Sequence, residues 1–420
     1  MRYSLFDIEV THPMSDLPLS TGDAGVAALV RRKGVPIAFW MQEMKGAGRM
    51  TAGDLARRIA AEAGEKIVAE GIREEIREEI REGLPDEDST VPLPLLTIAI
   101  CTKDRPAGVE RLLHSLREQG SALPRGSAGL EILIVDNAPS DQRTREIAAQ
   151  HSEVRYVREP RPGLNFARNL AVREARGDIL AFLDDDVVVD RHWAAGLSSA
   201  WAENRDAAAF TGQVLPMELE TEAQILFERR GGFRRGFDRV RYGPVLPGNG
   251  VYPAGSGIFG AGANMAFKTE ALRRMGGFDE ALDTGAAVPG GGDLDIFYRV
   301  IRAGHALVYE PRFLVFHQHR RDMKALRRQY RRSWGLGFMC YICKSLKSDP
   351  ERRGNFRHLI VWWLIDHVGT LLGHAKNRAL GKPYIPPSLF LGELWGGLAG
   401  FLGGYPRSQR RVEEIRKRFS

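Results

Sequence analysis

The spacing of apolar residues changes three times along the chain. Residues 3–10, 25–31 and 35–40 are short, partly alternating runs, and Arg31-Arg32-Lys33-Gly34 parts the last two, a pattern that predicts a β-hairpin. From Thr51-Ala52-Gly53-Asp54 the period lengthens. Ile72, Ile76 and Ile80 recur every fourth residue among Arg and Glu, so a helix with one apolar stripe and i,i+4 charge pairs is expected up to Gly83-Leu84-Pro85. Asp86-Glu87-Asp88-Ser89-Thr90 reads as a linker. From Leu93 the texture changes: a continuous apolar run at 96–101, a second buried-type strand at 130–135, a short third strand at 154–157 and a fourth at 179–183. Between them lie helical spacing at Val109, Leu112, Leu113 and Leu116, a helix opening near Ser140-Asp141, and another over residues 165–175. Unbroken apolar strands are covered on both faces, and strand alternating with helix predicts an α/β layer around a mixed, mostly parallel sheet flanked by helices. One more strand-like run, residues 313–316, precedes a helical remainder. Three regions follow: an α+β accessory extension at 1–90, an α/β core at 91–320, and a basic, partly apolar helical region at 321–420.

With 420 residues, 43% of them hydrophobic and 27% charged, the chain has ample material for a packed core and is not a disordered polymer. The net charge of +7 is a mild excess. The basic stretch from 320 to 332 (Arg320, Arg321, Lys324, Arg327, Arg328, Arg331 and Arg332 against Asp322) belongs to no recognised nucleic-acid module, so nucleic acid is not expected as a partner. A solvated helix, contact with a diphosphate, an acidic acceptor, or an anionic membrane are the readings of that stretch. The Trp362-Trp363 pair and the apolar residues downstream add weight to peripheral membrane contact. Three cysteines, Cys101, Cys340 and Cys343, are too few for a disulfide framework and lack the ligands of a zinc site. The first residues have no basic segment leading into an apolar one, and Asp366, His367 and Glu393 interrupt the longest apolar stretches. A cytoplasmic protein, membrane-associated on its cytoplasmic face if at all, is the expectation.

The ends of the core strands carry acids. The first closes in Thr102-Lys103-Asp104-Arg105, the second in Asp136-Asn137, the fourth in Asp184-Asp185-Asp186. Ligands of α/β sheets collect at the carboxyl ends of strands. A single Asp after a strand is usually a turn or a helix cap. An acid triplet directly after an apolar strand is costly unless a cation neutralises it, and hard oxygen ligands suit Mn²⁺ or Mg²⁺.

Residues 96–105, residues 132–137, Arg168-Asn169 and Gly177 through Asp184-Asp185-Asp186 stand in a characteristic order. Gly260-Ala261-Gly262-Ala263-Asn264-Met265, Gly276-Gly277-Phe278-Asp279-Glu280 and Gly291-Gly292-Asp293-Leu294-Asp295-Ile296 follow them. This series, over about residues 93–320, resembles glycosyltransferase family 2, and the resemblance implies a GT-A fold and a nucleotide-diphosphate sugar as donor, UDP- or dTDP-linked. It places Asp136 on the imide N–H of the base, Thr102 and Asp104 beside base and ribose, and Arg168 and Asp185 in the nucleotide site. It gives the divalent metal to Asp184, Asp186 and His317, with His319 as second choice. Gly262 and Asn264 fall on the acceptor side, where a saccharide, lipid-linked or other hydroxyl is expected. Asp293 matches the family's base, and Asp295 either orients the helix or contacts acceptor. The family's usual Glu before that Asp is here Gly292. One base, a metal and no nucleophile partner predict single displacement with inversion. Two further readings stand beside this one: a sugar-phosphate nucleotidyltransferase, which would want a Gly-rich phosphate loop after the first strand, and an inactive glycan- or membrane-binding scaffold.

Overall fold

The computed structural model describes residues 2–44, 48–82, 92–117, 119, 127–246, 248–282, 287–380 and 384–420. The expected helix stop at Gly83-Leu84-Pro85, the linker at 86–90 and the side chain of Ile80 lie outside the described residues.

The N-terminal unit comprises β1 (Arg2–Glu9), β2 (Leu17–Pro18), β3 (Asp23–Arg32), β4 (Val35–Glu43), β5 (Arg49–Met50) and α1 (Ala52–Glu82). The expected hairpin is β3–β4, and β1 pairs parallel to β3. Thr51 caps α1, its hydroxyl accepting from the Asp54 N–H at 3.1 Å. One face of this sheet (Val26, Ala28, Val30, Trp40) buries Leu55, Ile59 and Ala63 of α1. Its other face (Ala27, Leu29, Phe39) packs on Leu215, Ile225 and Leu314. The helix is longer than its buried part. Ile72 and Ile76 are about half exposed (51% and 49%), so their stripe is not core, although the period that betrays the helix is real.

The main sheet follows in α/β order: β6 (Leu96–Thr102), α2 (Pro106–Leu116), β7 (Leu130–Asn137), α3 (Arg143–Ala149), β8 (Val154–Glu159), α4 (Leu164–Glu174), β9 (Ile179–Asp184), β10 (Val187–Val189), α5 (Trp193–Glu203) and β11 (Ala209–Pro216). Then come α6 (Glu222–Arg229), β12 (Val240–Tyr242), β13 (Asn264–Lys268), α7 (Thr269–Arg274), α8 (Gly292–Arg302) and β14 (Leu307–His317). The strand order is β10-β14-β11-β13-β9-β6-β7-β8, with β12 beside β14. The strands β9, β6, β7 and β8 are mutually parallel, whereas β13 runs antiparallel to both its neighbours. Every residue of β6 is buried, as a strand covered on both faces must be. One covering layer packs α2 and α5 residues such as Leu112 and Trp193, the other packs α4 and α8 residues such as Ala171 and Phe297. Residues 215–255 contain α6, opened by a Thr221/Gln224 capping box, and β12.

The C-terminal region is helical: α9 (Met323–Gln329), a π-helical segment (Tyr330–Gly337), α10 (Phe338–Ser348), α11 (Arg353–Ala379), α12 (Pro387–Phe401) and α13 (Gly404–Arg418). Met339, Tyr341, Phe356 and Trp363 of these helices share a core with Phe166 and Tyr298. Among the described residues no helix is long and apolar enough to cross a membrane.

Candidate active site

The parallel register sets the site. Thr102 lies opposite Asp136 in the β6–β7 pair, and Cys101 lies opposite Asp184 in the β6–β9 pair, so three strand ends deliver their polar residues to one rim. A second pairing completes it. In the antiparallel β10–β14 pair Val187 faces His317, and the Gln318 N–H donates to the Asp186 carbonyl at 2.8 Å. The acid triplet and the histidine, about 130 residues apart in sequence, are thereby neighbours.

At the β7 end, Asp136 is fully buried. Its Oδ2 accepts from the Tyr156 hydroxyl at 2.9 Å, while its Oδ1 has no hydrogen-bond partner among the described residues. Burial raises its pKa, and the Tyr156 hydrogen bond offsets that in part. Asp104, at φ 54°, accepts from the Ser140 N–H and hydroxyl at 2.8 and 2.9 Å and so shapes the exposed edge of the rim.

The triplet divides its labour. Asp185 turns inward, accepting from the Thr102 hydroxyl and from Arg105, both at 2.7 Å. Asp186 meets Arg105 at 3.0 Å, His317 Nε2 at 3.3 Å and Arg320 at 3.8 Å. Asp184 meets Arg168 at 3.5 Å. Burial and the neighbouring Asp186 push the Asp184 carboxyl up in pKa, with Arg168 opposing. For Asp186 burial acts in the same sense, but His317, Arg105 and Arg320 outweigh it and hold the carboxyl well below the ordinary range. His317 Nδ1 contacts His319 Nδ1 at 2.9 Å, and His319 Nε2 contacts the fully buried Glu228 at 2.8 Å.

A divalent cation is tested against this donor set. Among the described residues no three acids, histidines or cysteines already stand as a cage. Asp186 and His317 are nevertheless in contact, Asp184 is a destabilised carboxylate two residues away, and the cations Arg105 and Arg320 now occupy the position a metal would take electrostatically. Two carboxylates and an imidazole match the ligand preferences of Mn²⁺ and, with phosphate oxygens added, Mg²⁺. The residues fit the group.

On the other side of the cleft, Arg168 is buried on α4 and reaches both Asp184 and, at 3.3 Å, the Gly262 carbonyl. The Gly262 N–H donates to Asp293 Oδ2 at 3.1 Å, and the Leu294 N–H to Oδ1 at 2.9 Å. A Cβ at Gly262 would stand 3.1 Å from that of Asp293, tighter than an ordinary contact, so a side chain there would press on the Asp293 carboxylate's position. Asp293 is therefore a half-buried carboxylate, oriented by two backbone donors at the start of α8. Gly292 before it has no room for a side chain, because a Cβ would run into the Leu282 carbonyl and the Asn165 amide. The Glu expected there from the resemblance would not fit this packing.

Two expected acceptor contacts fall elsewhere. Asn264 is a core residue: its amide accepts from Trp193 Nε1 at 3.0 Å and donates to the Gln213 and Phe313 carbonyls, which leaves nothing for a ligand. Asp295 is buried in ion pairs with Arg299, at 2.8 Å, and Lys344, so it anchors α8 to α10. Sequence reasoning missed Tyr156, Glu228 and the role of Arg105. Arg105 sits at a strand end already singled out. Glu228 left no signal, because its helix touches the site only in three dimensions.

Comparisons with known proteins follow the same segments. Residues 97–249 match Glycosyl transferase family 2, and residues 179–395 match Glycosyl transferase family group 2. The pre-mycofactocin glycosyltransferase of Mycobacterium tuberculosis is 28% identical over 231 residues, which are 54% of this chain and 44% of that protein. The succinoglycan biosynthesis protein ExoM of Rhizobium meliloti is 26% identical over 220 residues, 51% of this chain and 64% of that protein. The chain thus spans less than two thirds of the length of these curated relatives. Among solved structures, the mannosyltransferase PcManGT from Pyrobaculum calidifontis, in complex with GDP-Man and Mn²⁺, gives a TM-score of 0.47 at 19% identity, covering 77% of this chain and 92% of that one.

Proposed function

The chain belongs to glycosyl transferase family 2, and on that premise we propose that its cleft moves a sugar from a nucleotide-diphosphate donor to a hydroxyl of a saccharide or lipid-linked acceptor. The observation that carries this reading is the bridge made by Arg168. It touches Asp184 on the donor rim and the Gly262 carbonyl, while the Gly262 N–H holds Asp293, so one guanidinium spans donor and acceptor sides.

The base binds at Asp136. Its unpartnered Oδ1 accepts the imide N–H of uracil or thymine, whereas cytosine has no proton there, which favours UDP- or dTDP-linked sugars. Thr102, through Asp185, and Asp104, through Ser140, shape the walls beside base and ribose. Arg168 and Arg105 turn guanidinium groups toward the diphosphate. Mn²⁺ or Mg²⁺, held by Asp186 and His317 with Asp184 beside them, would neutralise charge growing on the leaving diphosphate. Asp293 removes the proton of the acceptor hydroxyl as its oxygen attacks the anomeric carbon. Asp295 is locked in ion pairs, so among the described residues it does not offer itself beside Asp293 as a covalent nucleophile, which supports single displacement with inversion.

The test is turnover of UDP- and dTDP-sugars with and without Mn²⁺, with Asp293→Asn and Asp186→Ala alongside. Metal-stimulated release of nucleoside diphosphate, lost in both variants, is the expected result, with the product of inverted configuration by NMR. Turnover intact in both variants would overturn the assignments. Donor binding without turnover in the native chain would leave the scaffold reading in its place.

A further inference from the structure

The C-terminal helices expose a large apolar surface that the proposed chemistry does not use. On α11, Phe356, Leu359, Trp363 and His367 face the protein. Val361, Ile365, Val368 and Leu372, spaced four, three and four residues apart, line the opposite side, with Ile365 66% and Leu372 67% exposed. On α12, Leu389, Phe390, Glu393 and Gly397 face inward, and Leu391, Trp395, Leu398 and Leu402 repeat the same spacing outward. The inner faces hold the two helices together: Trp363 lies over Gly397, His367 Nε2 is 3.2 Å from Glu393, and His374 stacks on Phe390 at 5.4 Å. Trp362 and Trp395 add exposed indoles. So many exposed large apolar residues on two packed helices exceed the scattered ones a water-soluble surface ordinarily carries.

Charge selects the occupant. Residues 353–420 hold eleven Lys and Arg against four Asp and Glu, which accounts for the whole chain's net charge of +7. Glu393 is buried, and the exposed acids are Asp366, Glu413 and Glu414. Arg357, Lys376 and Arg378 stand exposed toward the two ends of the α11 stripe, and Arg407, Arg410 and Arg411 follow α12 on α13. We propose that the outer faces of α11 and α12 dock on an anionic lipid surface, with Trp362 and Trp395 at the level of the headgroups and the flanking cations paired to lipid phosphates. An apolar helical face fringed by Lys and Arg is the form such docking takes, and tryptophan favours that interface. A second copy of the chain fits less well, because a two-fold pairing of these faces would set one cationic fringe against another. The inference stands apart from the roles given to the cleft.

Vesicle flotation of the full chain tests it, using phosphatidylcholine vesicles with and without phosphatidylglycerol, and the double variant Ile365→Glu/Leu372→Glu. Both substituted positions are exposed, so an unchanged thermal transition and unchanged metal-stimulated donor turnover show that fold and cleft are intact. Partition into the anionic vesicles about tenfold above the neutral ones, and a further loss of about tenfold or more in the double variant, is the expected result. Absence of partition by the native chain, or partition indifferent to the double variant, overturns the proposal. A tight dimer by light scattering without vesicle binding also overturns it and gives the face to a second copy.

Discussion

Asp136→Asn separates the cost of the nucleobase site from its use. In the native chain a carboxylate is fully buried with one oxygen bound to Tyr156 and the other unpartnered. Its pKa is raised, mainly by burial, so the folded state holds the proton more tightly than the unfolded chain and loses stability as pH climbs through that value. An amide removes the buried charge and keeps the Tyr156 hydrogen bond to its carbonyl oxygen, although its NH₂ is left unpartnered. The net gain is then about 1 kcal/mol, the low end of what an unsatisfied buried group costs, or about 2–4 °C in Tm for a domain of this size. The sign has a pH signature: the gain is present at neutral pH and vanishes in acid, where Asp136 is protonated in both states.

Binding moves the other way. A hydrogen bond to a charged group contributes about 1.5–3 kcal/mol, so UDP should bind the variant about tenfold to a hundredfold more weakly. The new NH₂ would face the imide N–H, donor against donor, yet could donate to N3 of cytosine. The preference of UDP over CDP should therefore shrink or reverse. Thermal shift against pH and calorimetric titration of UDP, dTDP and CDP in the presence of Mn²⁺ read both effects. Equal affinity of native and variant chains for UDP, with the UDP-over-CDP ratio unmoved, refutes the assignment of Asp136 to the base.

Gly292→Ala should lower stability by about 1–3 kcal/mol, since its Cβ meets the Leu282 carbonyl and Asn165, and chemical denaturation measures it. Glu228→Gln removes the charge behind His319 and so loosens His317. Mn²⁺ affinity, titrated in the presence of UDP, should fall about tenfold to a hundredfold while UDP alone binds as before. Glu9, the last residue of β1, reaches the β3–β4 turn, and its pKa is lowered to about 2: burial works against this, but N–H groups of Gly34, Thr11 and Lys33 and the Thr11 hydroxyl outweigh it. Its contribution is therefore complete above the ordinary value of 4.5 and is lost as pH falls toward 2, so Glu9→Gln should flatten that acid limb in scanning calorimetry.

Whatever has a short period was readable from the sequence. Residues 96–101 and 179–183 announce buried strands because both faces must be apolar, and the acids after them land on one rim because parallel strands end together. Partners supplied from far along the chain were not readable. Asn264 lies in a small-residue segment that looks like a pocket wall, and only the arrival of Trp193, Gln213 and Phe313 makes it core. Asp295 looks as acidic as Asp293, and the difference is Lys344, 49 residues later on a helix whose position no local pattern fixes. The stripe at Ile72 and Ile76 carries the opposite lesson: periodicity reports helix, while burial depends on whether another element comes to cover the stripe.

The glycines before Asp293 tie the proposed base to the C-terminal helices. Gly291 caps α8 in the left-handed region, at φ 87°, and a Cβ there would stand 2.6 Å from the Gly337 carbonyl at the end of the π-helical segment. Gly290 closes in the same way on Ser333, and the same segment is gripped from behind by α12, where a Cβ on Gly396 would collide with the Arg331 carbonyl. The start of α8, the π-helical segment and α12 are thus packed closely at backbone level. On the roles proposed for Asp293 and for the exposed face of α11 and α12, this packing is what connects the base to the docking face.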